Sequence, residues 1–95
     1  MAIGQVLEFP GGTMALYDAV TEELGIKGDQ GWPAGVLTHS AGASADGFIV
    51  MESWESEEAW NEFFTSRLQP AFTKVGGIPE PKVTRFAVQN AYNRS

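Results

Sequence analysis

The sequence predicts an α+β domain in the order strand, helix, strand, strand, helix, strand, and three observations carry that expectation. Short runs rich in β-branched and aromatic residues, partly alternating, mark extended segments at 2–9, 34–43, 47–54 and 82–89. Apolar residues spaced three and four apart mark helices after Thr13 and after Ser56. Clusters of glycine and proline separate the two kinds of segment. At 95 residues the chain builds one core, so residues 1–95 form a single domain. Hydrophobic residues make up 43% of it, enough for collapse, and with no cysteine the fold holds by packing alone.

Each element has a local cause. The first strand, AIGQVLEF, ends at Pro10-Gly11-Gly12. Thr13 then suits the N-cap of a helix with the stripe Leu16, Tyr17, Val20, Leu24, and Gly25 suits its left-handed stop. Four glycines and a proline within residues 25–35 make a loop, which carries Trp32. The second and third strands flank Asp46-Gly47, a pair that tolerates the positive φ angles of tight hairpins. GFIVMESW, residues 47–54, is the strongest strand signal in the chain.

At Ser56 the period changes from two to 3.6. Ser56 caps the new helix, and Glu57 and Glu58 stand in its first turn, where carboxylates favour the positive helix end. Trp60, Phe63, Phe64, Leu68, Ala71, Phe72 and Val75 keep one phase, so the kink or split expected at Pro70 leaves both pieces on the same core. Gly76-Gly77 closes the helix, and Pro79 and Pro81 keep the approach to the last strand extended.

This order is the ferredoxin-like βαββαβ arrangement: a four-stranded antiparallel sheet with two main helices on one face. In the third strand Phe48 and Val50 point one way and Ile49 and Met51 the other, so the sheet is apolar on both faces. Two helices cover only one of them. The bare face would be an apolar patch of a size soluble monomers rarely expose, and a second copy is the economical cover, giving a homodimer with sheets face to face.

The run GFIVMESWESEEAWNEF resembles the strand–helix signature of the dimeric α+β barrel superfamily, especially its antibiotic-biosynthesis-monooxygenase-like branch. There an acidic residue, a spacer and a tryptophan precede a Ser-capped acidic helix, as Glu52, Trp54 and Ser56 do here. Length, element order and the strand at Gly35-Val36-Leu37-Thr38-His39 fit as well. The resemblance implies a dimeric α+β barrel and a ligand cavity between sheet and helices. It does not single out a reaction, since the superfamily holds cofactor-free oxygenases of aromatic polyketides, polyketide cyclases, haem-degrading enzymes and small proteins without assigned activity.

His39 is the one histidine, hence the one side chain whose ordinary pKa lies near neutrality. A tight turn on Asp46-Gly47 places it opposite Trp54, with Glu52 two residues away on the same face, whereas a slip of one residue turns it towards Ser53 and Met51. It suits a base or proton shuttle, and equally a sheet histidine satisfied by hydrogen bonds or by a dimer contact. Tyr17 suits a hydrogen-bond donor to a substrate oxygen. Trp54, Trp60 and Phe64 either wall a cavity for a flat apolar ligand or simply fill the core, and Trp32 suits its cover. Glu52 is an acid in an apolar strand; if buried it is either protonated or paired, with Arg67 or Arg85, and it suits a structural ion pair first and a catalytic base second.

Several classes fall away. Eleven of the twelve acids precede residue 67 with Lys27 as the only base among them, and at a formal charge of −6 the chain repels nucleic acid and anionic membrane. Glu55, Glu57, Glu58 and Glu62 read as a solvated helix face without the His or Cys support a zinc site needs, so no metal is expected. Residues 56–75 hold no histidine for the axial position that haem-degrading relatives use, and no phosphate-binding glycine motif occurs, so no cofactor is expected. No apolar run approaches a membrane span and Met1-Ala2-Ile3-Gly4 lacks the features of a signal peptide, which makes a cytoplasmic location the expectation. Asn93-Arg94-Ser95 matches a glycosylation sequon that carries no weight without such a signal. The expected function is a cofactor-independent monooxygenase or cyclase acting on an aromatic or polyketide-like substrate; the alternative is a non-catalytic metabolite-binding or dimerisation module of the same fold.

Overall fold

In a computed structural model, which describes residues 1–92, the chain forms β1 (Ile3–Pro10), α1 (Met14–Leu24), β2 (Val36–Ala43), β3 (Gly47–Trp54), α2 (Glu57–Phe63), a π-helical turn (Phe64–Leu68), α3 (Gln69–Val75) and β4 (Lys82–Ala87). The sequon at 93–95 lies outside the described residues. The antiparallel sheet has the order β2-β3-β1-β4, the ferredoxin-like topology, with the helices on one face. Its core is Leu7 and Phe9 of β1, Phe48, Val50 and Trp54 of β3, Val20 of α1, and Trp60, Phe63, Leu68 and Ala71 of the second helical rod.

The caps form as their residues dictate. Thr13 Oγ1 accepts from the Leu16 amide at 3.2 Å, and Gly25, at φ 76°, ends α1 with its amide on the Glu22 carbonyl. Ser56 Oγ accepts from the Ala59 amide at 3.0 Å to start α2. Pro70 splits the rod, as its missing N–H requires, but the split is a π-helical turn rather than a bend in phase. The Gln69 amide reaches back five residues to the Phe64 carbonyl. Thr65 and Ser66 hydroxyls donate to the Asn61 and Glu62 carbonyls that the wider turn loosens. Trp60, Phe63, Leu68 and Ala71 stay buried across the junction.

Two features of the β2–β3 hairpin differ from the sequence expectation. The turn falls on Ala45-Asp46, closed by the Ser44 amide on the Gly47 carbonyl at 2.9 Å, and not on Asp46-Gly47. Gly47 has no positive φ; it begins β3, and a Cβ there would strike the Phe9 carbonyl, so close approach of β1 is what requires glycine. The turn therefore shifts the register by two, and His39 lies opposite Glu52 instead of Trp54. β2 also bulges: Val36 pairs with Trp54 while Thr38 pairs with Ser53, leaving Leu37 as the extra residue. Simple alternation from the inward Val36 would point His39 outward. The bulge restores it to the face that holds Glu52 and Trp54.

On the opposite face lie Val6, Ile49 and Met51, with Phe86 laid over Gly4, where its ring fills the space a Cβ would take. Met51 is 56% and Phe86 55% exposed. No helix among the described residues is long and apolar enough to cross a membrane.

Candidate functional site

The bulge in β2, the centre of β3 and the middle of α1 bring three polar side chains together. Tyr17 Oη and His39 Nε2 are 2.8 Å apart, and on the other side of the imidazole Nδ1 stands 3.6 Å from Glu52 Oε2. The Glu52 carboxyl is buried, and both its oxygens act as acceptors. Trp54 Nε1 donates to Oε2 at 2.8 Å and Gln5 Nε2 donates to Oε1 at 3.2 Å. Gln5 in turn accepts at Oε1 from Arg85 Nε at 2.9 Å. A continuous polar chain thus runs Arg85, Gln5, Glu52, His39, Tyr17 through an otherwise apolar layer.

The Glu52 carboxylate 3.6 Å from Nδ1 favours the tautomer with its hydrogen on Nδ1, in which the Nε2 lone pair faces the Tyr17 hydroxyl as an acceptor. Burial pushes the Tyr17 phenol above its ordinary value of 10.0, and the negative charges of Glu52 and then Asp18 push the same way. The phenol is neutral at physiological pH and able to donate.

Trp32 covers this group. Its ring lies 4.7 Å from the His39 ring, centroid to centroid, and its Nε1 donates to the Gly28 carbonyl at 2.8 Å. The backbones of Lys27 and Gln30 exchange two hydrogen bonds of 2.9 Å around Gly28, which takes φ 59° in that tight turn. The glycine-rich loop is therefore a short hairpin that holds the indole against the imidazole.

Behind Tyr17 and His39 lies an apolar cavity of about 70 Å3, walled by Trp54, Trp60, Val20, Val50, Phe63 and Leu68 among others. Tyr17, His39, Trp32, Trp54 and Trp60 all line it. Phe64 does not; its ring lies tilted against Trp60, 5.6 Å between centroids, and faces a second, open groove of about 640 Å3 between the second helical rod, the 76–81 connection and β4. Neither arginine touches Glu52 directly: Arg85 acts through Gln5, and Arg67 donates to the Leu24 carbonyl with its guanidinium 5.6 Å from the Phe63 ring centre. Gln5, 1% exposed, was the residue sequence reasoning missed; its signal was an amide at an inward position between Ile3 and Leu7. Among the described residues no group of three or more His, Cys, Asp or Glu side chains is placed to hold a metal ion.

No family model and no curated protein sequence matches the chain. Solved structures do. Rv0793 from Mycobacterium tuberculosis superposes with a TM-score of 0.72 at 18% identity, covering 98% of this chain and 100% of that one. SnoaB, a cofactor-independent oxygenase from Streptomyces nogalater, gives 0.65 at 10% identity over 98% of both chains. The ActVA-Orf6 monooxygenase of Streptomyces coelicolor, solved with nanaomycin D, gives 0.58 at 25% identity over 99% of this chain and 92% of that one. Over nearly its whole length the chain has the ferredoxin-like fold of antibiotic-biosynthesis-monooxygenase-like proteins. On that fold this chain carries the Tyr17–His39–Glu52 group under Trp32.

Proposed function

We propose that the chain is a small-molecule enzyme that moves a proton at a flat, apolar, aromatic or polyketide-like substrate, in cofactor-independent oxygenation or a cyclase-type reaction. The observation that carries this reading is the 2.8 Å contact between Tyr17 Oη and His39 Nε2 at the wall of an apolar cavity, backed by a buried carboxylate. The cavity reaching His39 favours this reading over a module that only dimerises. A ring system larger than the cavity takes the place of the Trp32 indole over His39, which makes Trp32 the cover, with Trp54 and Trp60 walling the cavity behind it.

The relay works as follows. Tyr17 Oη accepts an acidic C–H proton of the substrate while its own proton passes to His39 Nε2, and Glu52 stabilises the imidazolium that results. The carbanion is delocalised over the aromatic rings. With dioxygen present it gives up one electron, the two radicals join in a C–O bond, and the relay returns its proton to the outer peroxide oxygen. Loss of water from the hydroperoxide, using the second C–H, leaves a carbonyl. One CH2 group and one O2 thus give one C=O and one H2O, with all four electrons from the substrate. With a carbonyl carbon of the substrate in place of dioxygen, the same carbanion closes a ring.

The reading includes a second copy covering Val6, Ile49, Met51 and Phe86, which removes the exposed apolar face from water. The functional test is a thermal-shift screen across quinones, anthrones and small aromatic metabolites, since a ligand that binds the folded state raises its melting temperature by mass action. A binder is then followed for turnover in the wild type, His39→Ala and Tyr17→Phe. Turnover lost in both variants with the fold intact supports the relay. Turnover unchanged in both overturns it, and binding without turnover makes the chain a binding module.

A further inference from the structure

The interior cavity and the ligands considered above do not match in size. At about 70 Å3 the cavity is about half the ~150 Å3 of an engineered apolar cavity that takes benzene or xenon, so no ring system fits inside it. Polarity argues against water as the occupant. At the His39 end the polar groups already have partners: Tyr17 with His39, Trp54 and Gln5 with Glu52, and Trp32 with the Gly28 carbonyl. The rest of the wall is largely hydrocarbon, from Leu7, Val20, Leu24, Val50, Phe63 and Leu68. A water needs two to four polar partners, and an apolar cavity that offers none stays dry. What suits the space is a small apolar molecule.

We infer that this cavity is the dioxygen compartment of the site, with the aromatic substrate seated over His39 in place of the Trp32 indole at the cavity's outer end and the gas deeper, between Val20 and Val50. The inference rests on the oxygenation reading above. It adds the second substrate's place and the residues that shape it, Val20 of α1 and Val50 of β3. Dioxygen held there meets the carbanion next to the relay that must protonate the peroxide. The apolar wall also keeps bulk water from quenching the carbanion first.

Xenon is the probe, because it is apolar, inert and independent of any organic substrate. Methyl-labelled protein under increasing xenon pressure is expected to show saturating shifts at Val20, Val50 and Leu24, and at most small, linear shifts at Val6 and Met51 on the other face. Val20→Phe fills the cavity and abolishes the saturating shifts; should it fail to fold, Val50→Ile, which adds one methyl group, is expected to weaken them. Absence of saturable shifts at Val20 and Val50, or undiminished shifts in Val50→Ile, overturns the assignment and leaves the proton relay standing. In oxygen-uptake assays with anthrone, Val50→Ile is expected to raise the KM for oxygen by roughly tenfold, the scale of one methyl group in a tight apolar pocket, with anthrone binding unchanged. An unchanged KM for oxygen overturns the assignment. Saturable xenon binding with no oxygen uptake from anthrone or from the ligands of the screen instead overturns the oxygenation reading, and the assignment with it.

Discussion

β3 serves two unlike surfaces. Phe48, Val50, Glu52 and Trp54 point to the helices and are at most 9% exposed, whereas Met51, between Val50 and Glu52, is 56% exposed on the other side. Both faces are apolar, yet only the inner one has a buried acid, and that acid is fully engaged by Trp54 and Gln5. The difference teaches that the pleat alone separates two tasks along one strand. The odd position Met51 stays exposed, and the even positions hold buried polar groups that each have a partner.

The contrast can be broken hardest at Trp54. Trp54→Ala removes a side chain that is 1% exposed and one of the two donors to Glu52, and is expected to destabilise the fold by about 3–5 kcal/mol in chemical denaturation. Gln5→Leu preserves volume but leaves the buried Glu52 Oε1 without its donor, with an expected loss of about 1–3 kcal/mol by the same measurement. Tyr17→Phe removes one hydrogen bond and is expected to cost about 1 kcal/mol.

Alkaline titration sharpens the Tyr17 result. Because its phenol is raised above 10.0, the folded state holds that proton more tightly than the unfolded chain. The stability this contributes is complete below pH 10.0 and is lost as pH rises through the raised folded value. Denaturation midpoints followed across that window should fall in the wild type and fall less in Tyr17→Phe. The smallest effect on folding belongs to the outer face: Met51→Lys is expected to leave protomer stability within about 0.5 kcal/mol while lowering the mass seen by light scattering from two copies to one. A wild type that already scatters as a single copy at micromolar concentration would remove the case for a covered outer face.

Much of this architecture was legible before any coordinates. Thr13, Gly25 and Ser56 cap and stop helices where their side chains and backbone freedom say they should, and β3 alternates as written. The legible part is local. The site depends on three things that are not: a turn on Ala45-Asp46 chosen because Gly47 is needed against β1, a bulge at Leu37 that turns His39 inward, and the inward amide of Gln5 that holds Glu52. Each is settled by a neighbour distant in sequence. Tyr17 and Trp60 as cavity neighbours follow from helical phase and Trp54 from strand parity, whereas His39 needs the bulge and Trp32 the fold of its loop.

The account turns on how the single imidazole is held, and nitrogen-15 NMR of His39 reports that directly. One dominant tautomer is expected, with hydrogen on Nδ1 and Nε2 accepting from Tyr17; Tyr17→Phe should move chiefly the Nε2 resonance and Glu52→Gln chiefly the Nδ1 resonance. Two nitrogen resonances averaged as in free imidazole, and unmoved by either substitution, would contradict it.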